Sequence, residues 1–234
     1  MGRLLRALNA LYFRESGGLN RPPFHDIDAT YPSLRVLDRG LEAIQQELEP
    51  LLRERDAIPR YHEVSSVETY ISGTINPEKA WRVFMLRWLG GPGLEQNQAK
   101  CPRTCALLDQ VPGVMQAFFS ILDAGKSIPA HDGPYLGYLR YHLGLRVPSE
   151  RPPTIRIKDQ FHTWQVGKSI LFDDSWNHEV TNESNDLRVV LIVDVLRPMS
   201  APAHAINWLT TKVLARYSAG TREARRNLAN YQPH

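Results

Sequence analysis

The feature that most constrains this chain is the block 117–197, where short apolar segments alternate with turn signals. Candidate strands are Ala117–Leu122, Leu136–Leu145, Ile155–Ile157, Phe161–Trp164, Ser169–Phe172, Glu179–Asn182 and Leu187–Leu196. Between them stand Asp123-Ala124-Gly125, Asp132-Gly133-Pro134, Pro152-Pro153, Gly167-Lys168 and the polar run 182–186. Short strands at such close spacing build a sandwich or barrel. A further strand is expected through Trp81–Trp88.

Helical spacing governs the flanks. Leu34, Leu37, Leu41, Ile44, Leu48 and Leu51 recur at three and four residues, which predicts an amphipathic helix. Pro32 and Ser33 suit its start, and Pro50 is expected to kink or end it. Further helices are expected over 102–110, with Pro102 in the first turn, and over 203–217. The fold class is therefore α+β, helices in front of a jelly-roll. One domain is expected: a mainly helical part over 1–112, a β core over 113–200, and a C-terminal helix and tail over 201–234.

The 234 residues are 42% hydrophobic and 23% charged, which excludes a disordered chain or a coiled coil. Two cysteines rule out a disulfide framework and a four-thiolate zinc site. Cys101 and Cys105 lie one helical turn apart, as inert buried thiols or as a redox pair. No apolar run reaches the roughly 18–20 residues of a membrane span.

The net charge of +3 divides unevenly: residues 1–21 carry +3, residues 203–234 carry +4, and the body carries −4. An acidic body argues against nucleic acid as a partner. Basic ends suit an anionic membrane surface or another acidic partner. Leu4, Leu8 and Leu11 share a face of an N-terminal helix that either docks on the protein's own core or lies on a membrane. Arg6 and Asn9 interrupt its apolar stretch, so it reads poorly as a signal peptide. The expected location is cytoplasmic, or peripheral at the inner face of the membrane.

Strand alternation sorts the polar residues. In Leu136–Leu145, Tyr138, Arg140 and His142 share one face, and Leu139, Tyr141, Leu143 and Leu145 the other. Two cationic side chains on one face are either solvated or part of an anion pocket. In Leu187–Leu196, Arg188 shares a face with Val190, Ile192 and Asp194, and both faces are otherwise apolar. Such a strand is buried, so Arg188 needs an anionic partner. That partner is either a ligand carboxylate or an internal acid such as Asp173, Asp174 or Asp186. His131 and His178 stand at strand–turn borders 47 residues apart and are candidate metal ligands. A single histidine is more often simply packed or exposed, the reading given to His25, His62, His162, His204 and His234.

The stretches SILDAGKSIPAHDGPYLGYLRYHLGLRVP (120–148) and TWQVGKSILFDDSWNHEVTNESNDLRVVLIVDVLRP (163–198) resemble the aspartyl/asparaginyl β-hydroxylase family. The resemblance implies a double-stranded β-helix core and an Fe(II)- and 2-oxoglutarate-dependent oxygenase. It implies His131 and His178 as the iron ligands and Arg188 as the anchor of the distal carboxylate of 2-oxoglutarate. Ser120 and His142 then meet the cosubstrate carboxylates, and Arg140 contacts substrate or cosubstrate. Asp174 becomes a carboxylate that orders metal-bound water. The acid that many related oxygenases carry two residues after the first histidine is here Gly133, as in the family. Asp132 departs from the family pattern and points elsewhere unless a turn brings it round.

The implied reaction uses oxygen and 2-oxoglutarate to hydroxylate an unactivated C–H, releasing succinate and carbon dioxide. The substrate is an aspartyl or asparaginyl residue, a free amino acid, or an acyl chain of a membrane lipid such as lipid A or an ornithine lipid. FRESGG (13–18) and the Cys101–Cys105 helix look more like the bacterial lipid-modifying subgroup, so the lean is to lipid. The rival is a β-barrel that binds a metal or ligand without turnover.

Overall fold

The computed structural model describes residues 2–89, 94–214 and 219–231. Its strands are β1 (Phe24–His25), β2 (Trp81–Trp88), β3 (Val114–Leu122), β4 (Ile128–His131), β5 (Tyr138–Arg146), β6 (Thr154–Ile157), β7 (Gln160–Thr163), β8 (Ser169–Phe172), β9 (His178–Thr181) and β10 (Arg188–Leu196). The helices are α1 (Arg3–Glu15), α2 (Ile27–Thr30), α3 (Arg35–Arg39), α4 (Leu41–Arg53), α5 (Tyr61–Val64), α6 (Thr69–Gly73), α7 (Glu95–Lys100), α8 (Pro102–Leu108), α9 (Ala201–Leu209) and α10 (Ala219–Asn230).

Two antiparallel sheets face each other. The larger runs β1-β8-β5-β10-β3-β2 and the smaller β4-β9-β6-β7. Between them lies a core of Val83, Phe118, Phe172, Val190 and Ile192 from the large sheet and Ile128, Ile155, Ile157 and Val180 from the small one. The outer face of the large sheet supplies Leu139, Tyr141, Leu143, Leu191 and Val193 to a second core, against Leu37, Ile44, Leu48 and Cys105 of the helices. β10 is therefore buried along its whole length on both faces, as its paired apolar alternation requires. This is the double-stranded β-helix, with helices stacked on one side.

Several local expectations need correction. The helix expected over Leu34–Leu51 is broken at Gly40 into α3 and α4. A Cβ on Gly40 would stand 2.2 Å from Leu107 Cδ1, so the chain bends around that side chain of α8. Pro50 does not end α4, which continues to Arg53. Pro50 has no N–H to donate to the Gln46 carbonyl, and burial of Leu51 and Leu52 holds the last turn in place despite that missing bond. β4 is the short strand that ends at the strand–turn border expected at His131, although its four residues, including Pro129, show no alternation. The helix expected over 203–217 is α9 followed by a π-helical turn at Thr210–Leu214. Residues 215–217 and His234 lie outside the described residues. α1 docks through buried Leu8 and Tyr12, and Asn9 bridges to the carbonyl of Pro134 and the amide of Leu136.

Candidate active site

His131 and His178 meet directly. They are cross-strand partners at the ends of β4 and β9, with ring centroids 4.1 Å apart. Each ring is oriented by its own backbone. His131 Nδ1–H donates to the carbonyl of Pro129, and His178 Nδ1–H to that of Trp176, both at 2.8 Å. A carbonyl only accepts, so the proton sits on Nδ1 and the lone pair of each Nε2 is left for another partner. Burial, and for His131 also the neighbouring His178, lowers both imidazoles to about 4. Both are neutral near pH 7, the form a metal ion requires.

Asp174 completes this end. Its Oδ2 accepts from the Tyr138 hydroxyl at 2.6 Å and pairs with Arg140 Nη1 at 3.0 Å. Its Oδ1 is buried without a partner. A Cβ on Gly133 would lie 2.7 Å from both that oxygen and the Asp174 carbonyl, which itself accepts from the Gly133 amide. Position 133 is thus glycine because Asp174 occupies the space. Burial raises the Asp174 carboxyl, opposed by Arg140 and by the Tyr138 hydrogen bond. Asp132 is exposed and accepts from Asn177 Nδ2 at 3.1 Å, so its carboxylate is engaged on the surface.

Arg140 is fully engaged. Beside Asp174, its Nε and Nη2 form a bidentate pair with Asp194 at 2.7 and 2.8 Å. The β5–β10 register sets Arg140 opposite Asp194. The two acids hold the guanidinium well above its ordinary range despite its burial.

Arg188 stands in contrast. It is 1% exposed and has no carboxylate partner among the described residues. The acids weighed for it are taken: Asp173 by Arg21 and Arg197, Asp174 by Arg140, and Asp186 by Arg146. Its Nη1 donates to Ser120 Oγ at 3.2 Å, an oxygen that also accepts from Trp81 Nε1 at 2.9 Å. Its guanidinium lies 4.4 Å from the Trp164 ring centroid. Around it are buried polar atoms with no partner: Arg188 Nε, Trp164 Nε1 and both ring nitrogens of His142. Burial lowers Arg188 to about 9, so it remains cationic at neutral pH. Unpaired buried polar groups are costly, and four together mark a place for a polar ligand. Phe172 joins the two ends, with its ring 4.8 Å from His142 and 6.5 Å from His178.

All seven residues singled out from the sequence, Ser120, His131, Arg140, His142, Asp174, His178 and Arg188, therefore fall within the barrel or at its mouth. Tyr138, Trp81, Trp164 and Asp194 were not among them. The face-sharing of Tyr138 with Arg140, and of Asp194 with Arg188, was the available signal. Arg21 was also missed. It pairs with buried Asp173 at 2.9 Å and stacks 3.7 Å over Trp176, whose carbonyl orients His178. Cys101 and Cys105 are buried free thiols, and burial pushes both up, Cys101 to about 12, away from a reactive thiolate.

A cavity of about 440 Å³ leads to His131, Gly133, Tyr138, Arg140 and Asp174. Its wall is largely apolar, with Tyr61, Val67, Ile71, Trp88 and Met115 contributing. Glu68 also lines it, pushed up to about 7 by burial.

The fold and these facing histidines define a jelly-roll protein with a two-imidazole site. The sequence model of aspartyl/asparaginyl β-hydroxylase matches residues 38–198, and the chain belongs to that family. It is 39% identical over 191 residues to the ornithine lipid ester-linked acyl 2-hydroxylase of Rhizobium tropici, covering 81% of this chain and 66% of that one. It is 37% identical over 127 residues to the human aspartyl/asparaginyl β-hydroxylase, covering 52% of this chain and 16% of that one. The chain thus spans less than two thirds of the length of these relatives. Among solved structures, TT1209 from Thermus thermophilus aligns at a TM-score of 0.30 and 20% identity, over 36% of this chain and 75% of that one.

Proposed function

We propose that this chain is an Fe(II)- and 2-oxoglutarate-dependent hydroxylase acting on an acyl chain of a membrane lipid, peripherally at the anionic inner face of a membrane. The observation that carries the reading is the pairing of two imidazoles, each with Nε2 free, with a buried, acid-free Arg188 in the same barrel.

The residues present fit both groups. His131 and His178 offer two neutral nitrogen donors, and the unpartnered Asp174 Oδ1 beside them would accept a hydrogen bond from a metal-bound water. Arg188 and Ser120 would take the distal carboxylate of 2-oxoglutarate, and His142 a donor–acceptor contact nearer the metal. When bound, iron and 2-oxoglutarate supply the oxidative decarboxylation that turns R–H and oxygen into R–OH, succinate and carbon dioxide. The chain's own residues orient and shield. Nδ1–H bonds fix both ligand rings, Arg140 holds Asp174 in place, and Trp164 and Phe172 exclude water around the diacid.

Two features favour an acyl chain over an aspartyl side chain. The cavity wall is largely apolar, and the one guanidinium among its described lining residues, Arg140, is already neutralised by Asp174 and Asp194. Among the described residues that line the cavity, a substrate carboxylate would find no free cation. The relative in Rhizobium tropici, named for acyl 2-hydroxylation, supports the same choice.

The test is incubation with Fe(II), 2-oxoglutarate, oxygen and either membrane lipids or aspartyl peptides. A mass gain of one oxygen on the acyl chain with matching succinate is expected. Oxygen on the peptide instead would replace the substrate reading, and no succinate with either would reduce the protein to a binding module. His131→Ala and His178→Ala should each abolish metal binding by calorimetry.

A further inference from the structure

Of the ten large apolar side chains exposed among the described residues, Val67 and Tyr70 line the cavity, and Leu4, Ile206, Trp208 and Leu209 belong to α1 and α9, each of which adjoins or contains a lining position (Leu5 of α1; Thr210 and Thr211 directly after α9). Val67, 74% exposed, and Tyr70, 59% exposed, themselves line the cavity. Leu4, 62% exposed, is next to Leu5, which lines it too. Ile206 and Leu209 share a face of the C-terminal helical segment with Thr210, another lining residue. α1 and α9 also touch one another. Exposed apolar side chains on the elements that border a largely apolar cavity are unusual for a surface that faces only water.

We propose that these side chains form a membrane-docking face. The first turn of α1, the 66–71 turn and α9 sit among the headgroups of an anionic bilayer, and an acyl chain enters the cavity without crossing water. The inference rests on the acyl-chain reading above.

Charge selects a lipid surface over a second copy or a protein partner. α1 opens with exposed Arg3 and Arg6 and has no acid in its first turn. A helix N-terminus repels cations, so these arginines do nothing for the helix itself and suit an external anionic layer. Of the acids lining the cavity outside the Arg140 cluster, Glu68 is partly neutral near pH 7 because burial raises it to about 7, and Asp132 is exposed; beside the 66–71 turn, Glu223 is engaged by the Ser66 amide at 3.3 Å. α1 is anchored, with Leu8 and Tyr12 buried, Asn9 bonded to the 134–136 turn, and Tyr12 edge-on to Tyr135 at 5.6 Å. Leu4 is thus surplus to the helix's docking. Trp208, with an apolar ring and a polar N–H, is the residue type that settles at a headgroup boundary.

The full chain is sedimented with phosphatidylcholine vesicles, with and without one third phosphatidylglycerol. Binding is expected to the anionic vesicles, at least tenfold weaker to the neutral ones, and weakened by salt. Leu4→Glu with Leu209→Glu, both exposed and neither lining the cavity, should weaken it at least tenfold at an unchanged melting temperature. Arg3→Gln with Arg6→Gln should lower it several-fold and remove most of the salt dependence. A blue shift of tryptophan emission on vesicle addition should vanish in Trp208→Phe. No sedimentation with anionic vesicles, indifference to the two glutamates, or a concentration-dependent dimer abolished by them would overturn the proposal. Succinate formation is measured in parallel. If it persists without vesicle binding, only the docking face falls. If vesicles bind but no lipid gains oxygen, the hydroxylase reading falls instead.

Discussion

Arg140 and Arg188 project from neighbouring strands into the same barrel, yet their surroundings are opposite. Arg140 lies between Asp174 and Asp194, with three contacts between 2.7 and 3.0 Å. Arg188, more deeply buried, meets a serine hydroxyl, an indole face and a set of unpaired polar atoms. The first guanidinium is consumed in holding protein acids, and the second has no acid to hold among the described residues. An arginine pointing into a β-helix is therefore not in itself an anion site. What decides is whether the opposing strand brings an acid to it.

That contrast can be broken by exchanging charge for shape. Arg140→Met strands two buried carboxylates and should cost about 3–5 kcal/mol, the usual penalty for orphaning a buried ion pair. Chemical denaturation measures it, and an unchanged midpoint would mean the cluster carries no structural load. Arg188→Met removes an unpaired buried charge, so stability should hold or rise. 2-Oxoglutarate binding should weaken roughly 100-fold, about 2.7 kcal/mol, for loss of a charge-assisted grip. Equal losses of stability in the two variants would erase the distinction.

Two smaller effects sharpen it at the cavity end. Gly133→Ala places a Cβ against the Asp174 backbone and carboxylate. It should weaken metal binding by about tenfold, roughly 1.4 kcal/mol, while cosubstrate contacts at Arg188 stay intact. Isothermal titration with Co(II) reads this, and equal metal affinity in wild type and variant would refute the role given to Asp174. Glu68→Gln tests the acid excess around Arg140. Its folded carboxyl, near 7, lies above its unfolded value, so the folded state binds the extra proton between those limits. Its stabilising contribution is present at low pH and lost as pH rises through 7. The wild type should thus fall behind the glutamine variant by about 1 kcal/mol between pH 5 and 8, after allowance for solvent screening. Parallel melting curves over that range would contradict it.

Much of this was legible in the sequence because strand alternation is a local rule. It placed Tyr138, Arg140 and His142 together and showed β10 apolar on both faces, which forced Arg188 indoors. Family likeness then supplied roles for His131 and His178. Register was not legible. That Arg140 faces Asp194, and His131 faces His178, depends on pairings across 54 and 47 residues that no local pattern encodes. β4 was legible only as a border at His131 for a related reason, since its four residues are held as a strand by β9 rather than by any propensity of their own. Gly40 and Pro50 misled in opposite directions because packing against Leu107 and burial of Leu51 and Leu52 overrode local preference.

Arg21 has a practical consequence for anyone trimming this protein. It lies upstream of residues 38–198, the portion shared across the family, yet it clamps Asp173 together with Arg197 and covers Trp176. A fragment cut to the shared portion would keep both imidazoles together with Ser120, His142 and Arg188. It would also leave Asp173 half-neutralised and bare the indole whose carbonyl steers His178. Such a minimal version would suffer from a slack 173–178 loop rather than from a missing imidazole.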